Sequence, residues 1–274
     1  MANNIINDFS AKGFTMTLRQ LYYQFVALDL IPNTERSYKR LGSIINDARM
    51  AGLIDWDMIE DRTRQLHQRA RWNNPGEIIT AAARGYHIDM WADQEYRIEV
   101  WIEKEALVGV IEKVCRENDI PYFACRGYAS VSSLWQASER LKQYEYQCIL
   151  ILYFGDHDPS GLDMPNDLRS RLDTFSGYYD QTHNIEHIAL TLEQVQKYDL
   201  PPNPAKIKDS RAKVYIEKFG NESWELDALK PEKIVGLIEK EINTFRDEER
   251  WKVRLEQETN ERAKLNEIAD TFIK

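Results

Sequence analysis

Residues 148–161 read CILILYFGDHDPSG, and this stretch decides the fold. Cys148 to Phe154 is an unbroken apolar run of strand length. A strand with no polar face is buried on both sides, as in a parallel sheet flanked by helices. The run ends at Gly155, and Asp156-His157-Asp158-Pro159-Ser160-Gly161 follows at once. Ligands of open parallel sheets gather outside the carboxyl ends of the strands. This acidic loop is therefore the first place to look for chemistry.

Working outward, Ile98 to Ile102 reads as a strand that runs into Glu103-Lys104-Glu105. A helix follows to about Asn118, then a strand at Tyr122–Cys125 and a helix from Ser130 to Lys142. Beyond the loop, Pro159 to about Leu172 is helical and Glu186–Leu190 is a further strand. Alternating strands and helices over 96–200 predict a mixed α/β domain with a mostly parallel sheet. Glu103, Asp156 and Asp158 then sit at neighbouring strand ends. Like charges held close repel unless a cation lies between them, and an all-oxygen ligand set favours Mg²⁺. Such an ion neutralises a phosphodiester oxygen. The competing account of Asp158 is that it caps a helix starting at Pro159. That account leaves Asp156 and Glu103 unexplained. Neither GxxxxGK[ST] nor GxGxxG occurs, which disfavours a nucleotide-binding sheet.

Asn73-Asn74-Pro75-Gly76 and Pro201-Pro202-Asn203-Pro204 punctuate the chain. They divide it into residues 1–75, a linker over 76–95, the α/β domain over 96–200, and a largely helical extension over 201–274 packed on that domain. In the first part Thr17 can cap a helix LRQLYYQFVALDL, with Leu18, Leu21, Tyr22, Phe25 and Leu28 at helical spacing, ended by Pro32. A second helix spans about Thr34 to Ala51, stops at Gly52, and is followed by a short strand Leu53–Trp56. Helix, helix, short strand is compatible with a winged helix-turn-helix. In the extension Ile234, Leu237, Ile238 and Ile242 mark a packed face.

A glutamate after one strand and Asp-x-Asp-x-x-Gly after a later one resembles the Toprim domain of topoisomerases and primases. The fuller resemblance is to the A subunit of DNA topoisomerase VI and the related meiotic double-strand-break transesterases, in their short stand-alone bacterial or phage form. Glu103-Lys104-Glu105-Ala106 resembles the family's glutamate motif and Asp156–Gly161 its paired-aspartate motif. Trp224-Glu225-Leu226-Asp227-Ala228-Leu229-Lys230-Pro231-Glu232 resembles a segment near the family's C-terminus. Arg19-Gln20-Leu21-Tyr22-Tyr23 resembles the motif whose last residue attacks DNA. The resemblance implies a winged-helix tyrosine domain over 1–75 and a Toprim domain over 96–200. It implies Tyr23 as nucleophile, Arg19 as its helper, and Glu103, Asp156 and Asp158 as Mg²⁺ ligands, with Glu105, Lys104 and His157 in support. Its implied activity is DNA strand cleavage through a phosphotyrosyl link. Its partners would be double-stranded DNA and a second copy, the tyrosine of one subunit meeting the metal of the other. The family's separate ATPase subunit docks on a longer N-terminal region than the short stretch before Thr17, so that interaction is expected to be missing.

The residues make sense of these roles. Arg19 and Tyr23 are four apart and share a helix face, and Tyr22 fits the apolar stripe where Tyr23 does not. A water-using Toprim endonuclease and a DNA-binding scaffold remain alternatives. The formal net charge of -9 counts against a simple nucleic-acid coating protein. Arg36 to Arg71 is locally basic, however, so Lys39, Arg40 and Arg49 are candidate DNA contacts, with Lys206, Lys208 and Arg211 a second cluster. Three scattered cysteines without CxxC spacing read as reduced, buried thiols. No apolar run reaches the ~18–20 residues that span a bilayer, and the N-terminus is unlike a secretory signal. A cytoplasmic protein, nucleoid-associated when bound to DNA, is expected.

Overall fold

The apolar run at Cys148–Phe154 is an inner strand of a four-stranded parallel sheet. The computed structural model describes residues 1–11, 16–59, 69–144, 146–176, 183–204 and 211–272. In chain order the elements are α1 (Ala2–Ala11), α2 (Leu18–Ala27), α3 (Glu35–Met50), α4 (Pro75–Gly85), β1 (Tyr96–Ile102) and α5 (Val108–Glu117). Then come β2 (Tyr122–Ala124), α6 (Val131–Leu141), β3 (Cys148–Phe154), α7 (Pro159–Ser176), β4 (His183–Ala189) and α8 (Leu192–Tyr198). The remainder is β5 (Asn203–Pro204), α9 (Ala212–Phe219), β6 (Glu222–Ser223), α10 (Pro231–Phe245) and α11 (Glu248–Asp270).

The sheet order is β2-β1-β3-β4. Successive side chains of β3 point to opposite faces, and each face has its own core. Leu150, Leu152 and Phe154 join Ile98, Val100 and Ile102 of β1 in one core, closed by α5, α8 and α10. Ile149, Ile151 and Tyr153 join Trp101 in the other, closed by α6 and α7. Apolar surface on both faces is why the run has no polar alternation. The chain leaves β1 for β2 on one side and returns to β3 on the other. Between β1 and β3 it therefore changes direction across the sheet, the place where strand ends leave an open crevice.

The N-terminal part has a separate core of Ile6, Phe9, Met16, Leu21, Tyr22, Phe25, Leu41 and Ile45. Thr17 and Gln20 form a reciprocal capping box at the start of α2, and Thr34 caps α3. Two sequence expectations differ here, and one helix was not foreseen. Helix α2 stops at Ala27 rather than running to Leu30, because the chain turns through Asp29 at a φ of 53°. Leu53–Trp56 is not a strand: Gly52 (φ 70°) reverses the chain and Asp55 caps a single 3-10 turn, Trp56–Met58. The only strand-like contact in this part, among the described residues, is an isolated parallel bridge between Met16 and Ile59. Helix α1 was not anticipated, and it is held by burial of Ile6 and Phe9. Residues 60–68, which carry Arg62 and Arg64, lie outside the described residues.

The stretch expected as a linker holds structure. Asn74 caps α4, with Pro75 at its first position. Helix α4 packs along α11. Glu258 of α11, buried, accepts the Ile88 N–H at 3.0 Å, and Arg262 donates to the Tyr86 carbonyl at 2.8 Å. In the extension, α10 buries Ile234, Ile238 and Ile242 against the sheet domain. Cys115 and Cys125 are buried as expected, but Cys148 is exposed at the start of β3. No helix among the described residues is long and apolar enough to cross a membrane.

Candidate active site

Ile102 and Phe154, the last residues of β1 and β3, are register partners. Glu103 and Asp156 therefore leave the sheet side by side. The Glu103 N–H donates to the Phe154 carbonyl at 2.8 Å. In return Glu103 Oε2 accepts the Asp156 N–H at 3.0 Å. Asp156 Oδ1 accepts the Leu226 N–H at 2.8 Å. Burial, then the neighbouring charge of Asp156, pushes the Glu103 carboxyl up to about 7. Burial likewise raises Asp156.

Two glycines make the loop possible. A Cβ on Gly161 would lie 2.1 Å from the Asp156 carbonyl oxygen. The glycine of Asp-x-Asp-x-x-Gly is thus a steric requirement, since backbone meets backbone there. A Cβ on Gly155 would lie 2.9 Å from Glu103 Oε2 and 2.6 Å from the Tyr153 hydroxyl, so its absence leaves room for the Glu103 carboxylate.

Asp158 is placed differently. Its Oδ1 accepts the Gly161 N–H and the Ser160 hydroxyl, each at 2.7 Å, and it caps α7. Its charge reaches Glu103, where it helps to raise that carboxyl. His157 is a buried latch. Its backbone forms an isolated antiparallel bridge with Trp224, its Nδ1 lies 3.0 Å from the Tyr215 hydroxyl, and its ring packs on Phe219 and Trp224. Burial lowers its pKa, and its contacts hold the loop to α9 and to Trp224.

Lys104 points its ammonium into a cage of carboxylates. Nζ lies 3.2 Å from Asp156 Oδ1, 3.1 Å from Glu225 Oε2 and 3.1 Å from Asp227 Oδ2. Burial alone would lower the lysine, but the charges of Asp156, Asp227 and Glu225 outweigh it and raise the pKa. Burial raises Asp227, whose Oδ1 is buried without a hydrogen-bond partner. Glu225 and Asp227 were not among the sequence candidates. They lie within the Trp224–Glu232 segment, which was noticed but given no chemistry.

Opposite the carboxylates lies helix α2. Glu103, Lys104 and Asp156 line one wall of a cleft of about 1190 Å³, and Arg19 and Tyr23 line the other. Gln20 ties the walls together through a hydrogen bond from its amide to the Ala106 carbonyl. Tyr22 and Tyr23 divide as their helical positions suggest. Tyr22 is buried and its hydroxyl donates toward Asn33 Oδ1 (3.0 Å) and the Thr34 carbonyl (3.1 Å). Tyr23 is half-buried on the cleft wall, its ring 5.5 Å from that of Tyr22. The Arg19 guanidinium stacks 5.7 Å from the Tyr38 ring. Tyr23 and the carboxylates thus line one cleft.

Compared with protein-family models and with curated proteins, the chain matches none.

The remaining candidates are spread out. Glu105, on the cleft rim, pairs with Arg126, which sequence reasoning passed over; Arg126 lines the cleft from a left-handed backbone position (φ 54°). Arg49 also lines the cleft, but its guanidinium donates to the Trp56 carbonyl (2.6 Å) and to that of Ile59, and stacks on Trp56. It ties down the chain after α3. Lys39 pairs with Glu35 at 2.7 Å on the exposed face of α3, and Arg40 is exposed beside it. Arg211 pairs with Asp163 at 2.9 Å and stacks on Tyr128, away from the cleft lining. Lys206 and Lys208 lie outside the described residues.

Glu103 and Asp156 are the residues that could hold a divalent ion. Glu103 and Asp156 offer carboxylate oxygens at adjoining strand ends, and burial, then the charge of Asp156, pushes the Glu103 carboxyl up. A hard cation would relieve that repulsion. Asp158 would add to the set only with the capping oxygen already engaged.

Proposed function

We propose that this chain is a Mg²⁺-dependent DNA-cleaving enzyme of the topoisomerase VI A-subunit kind, with Tyr23 as its nucleophile. The observation that carries the reading is the shared cleft: Arg19 and Tyr23 on one wall, Glu103 and Asp156 on the other. Glu103, Asp156 and Asp158 would hold the ion, which supplies positive charge to a phosphodiester oxygen. Arg19, one helical turn from Tyr23, holds the phosphate. The Tyr23 oxygen attacks phosphorus; one phosphotyrosyl bond forms, one P–O ester bond breaks, and the departing sugar hydroxyl takes up a proton. The link preserves the ester energy for resealing. One tyrosine and one carboxylate set cut one strand, so a double-strand cut takes two copies, and we propose a homodimer on double-stranded DNA. The winged-helix assignment of the N-terminal part and the Toprim assignment of the sheet domain belong to the same proposal. The same proposal places it in the cytoplasm, nucleoid-associated when bound to DNA.

The test is incubation with duplex DNA and Mg²⁺, followed by denaturation and a search for protein-linked DNA ends. Adducts lost in Tyr23→Phe are the expected result. Cleavage that survives Tyr23→Phe but vanishes in Asp156→Ala would replace this reading by a nuclease that activates water. Salt-sensitive binding without cutting would leave a DNA-binding scaffold.

A further inference from the structure

Arg19 is an exposed cation on the cleft wall, and among the described residues no carboxylate pairs with it. The other cations that line the cleft are engaged: Lys104 by three carboxylates, Arg126 by Glu105, and Arg49 by two backbone carbonyls. What Arg19 has is the Tyr38 ring, whose centroid lies 5.7 Å from the guanidinium carbon. That ring is itself held. It meets the Tyr22 ring edge-on at 5.3 Å, and Tyr22 is buried with its hydroxyl bonded to Asn33 and to the Thr34 carbonyl. Gly42, one turn beyond Tyr38 on α3, lies so near the start of α2 that a Cβ there would be 3.2 Å from Leu18 Cδ2. This close approach puts the ring-bearing face of α3 beneath the first turn of α2, and both Tyr38 and Gly42 line the cleft beside Arg19.

We propose that Tyr38 is a positioning residue of the cleft, its ring serving as the platform that presents the Arg19 guanidinium to the phosphate attacked by Tyr23. This rests on the transesterase reading given above. A guanidinium stacked by its face keeps the N–H donors along its rim, where they can take two oxygens of one phosphate. A guanidinium already seated on a ring also loses less freedom on binding than one on an unsupported stem. The ring alone supplies this, and the Tyr38 hydroxyl is not needed.

The test measures the affinity of a short DNA duplex for Tyr23→Phe protein by fluorescence anisotropy, beside adduct formation by protein that keeps Tyr23. Tyr38→Phe is expected to match the parent within about twofold, the cation–π contact being kept. Tyr38→pentafluorophenylalanine keeps the shape but reverses the charge distribution of the ring. It should weaken binding about fivefold relative to Tyr38→Phe, slow adduct formation at subsaturating DNA by a similar factor, and leave the melting temperature unchanged. In an Arg19→Ala background the same exchange should change nothing, because the ring acts only through the guanidinium. Equal affinity for the two rings, an equal loss without Arg19, or a duplex bound as tightly by Arg19→Ala overturns the inference. The two readings fail separately. Wild type that forms no adduct removes the proposed chemistry and leaves the platform to be judged on affinity, whereas undiminished adducts with the fluorinated ring remove the platform alone.

Discussion

The backbone N–H of Asp156 donates to the Glu103 carboxylate at 3.0 Å, so the acid that ends one strand is anchored to the loop that leaves its neighbour. Glu103 is thereby fixed close to a second negative charge in a buried place, and its carboxyl rises to about 7. A carboxyl raised in the folded state holds a proton that the unfolded chain releases. Its favourable contribution is complete below pH 4.5 and is lost as pH rises through about 7. Without divalent ions, wild type should be less stable at pH 8 than at pH 5. Glu103→Gln should remove on the order of 2 kcal/mol of that fall. Mg²⁺ should restore stability above pH 7 in wild type alone. Urea melts at the two pH values, with and without Mg²⁺, measure both effects; an unchanged pH dependence in Glu103→Gln would contradict the placement.

The two adjacent tyrosines give opposite expectations. Tyr22→Phe leaves the Asn33 and Thr34 acceptors short of a buried donor and should cost about 1–2 kcal/mol, with adduct formation retained. Tyr23→Phe should leave the melting temperature within a degree or two and abolish the covalent adduct. Thermal melts paired with denaturing gels of DNA reactions separate them.

Gly161 and Gly236 form a second pair. Gly161→Ala drives a Cβ into the Asp156 carbonyl, and neither backbone can yield. The loss should exceed about 3 kcal/mol, with Mg²⁺ binding lost alongside. Gly236→Ala lies within α10 with open space around the new methyl. It should stabilise by about 0.5–1 kcal/mol. Calorimetry of the two variants gives opposite signs if the loop packs as described.

The arginines of α3 should also part company. Arg49→Ala removes two hydrogen bonds to backbone carbonyls and a stacking contact with Trp56, at a cost of about 2 kcal/mol. Arg40→Ala should leave stability unchanged and reduce the salt dependence of DNA binding by about one counterion. Binding isotherms at several salt concentrations, beside denaturant melts, test both.

The sheet was legible because its physics is local. Burial on both faces demands a continuous apolar run, and Cys148–Phe154 could serve no other purpose. The meeting of Glu103 and Asp156 was expected from acidic strand ends in an open parallel sheet, where ligands collect, whereas the order β2-β1-β3-β4 was not read from the sequence. What was not legible depends on long separations or on direction. Lys104 meets Glu225 across 121 residues, and nothing in either neighbourhood announces the pairing. Arg49 has the same charge whether it faces a phosphate or a carbonyl. Asp158 fits a metal ligand and a helix cap equally well by sequence, and only its bonds to Ser160 and Gly161 reveal the cap. Leu53–Trp56 had strand-like residues, but Asp55 preferred the backbone N–H of Asp57. A short side chain that competes with the ladder in this way defeats propensity.

Helix α11 acts as a splint. It lies along α4 and grips residues 86–88 through Glu258 and Arg262, on the stretch that joins the tyrosine-bearing part to the sheet. The joint between the two cleft walls is thus braced from some 170 residues downstream, beside the direct tie from Gln20 to the Ala106 carbonyl.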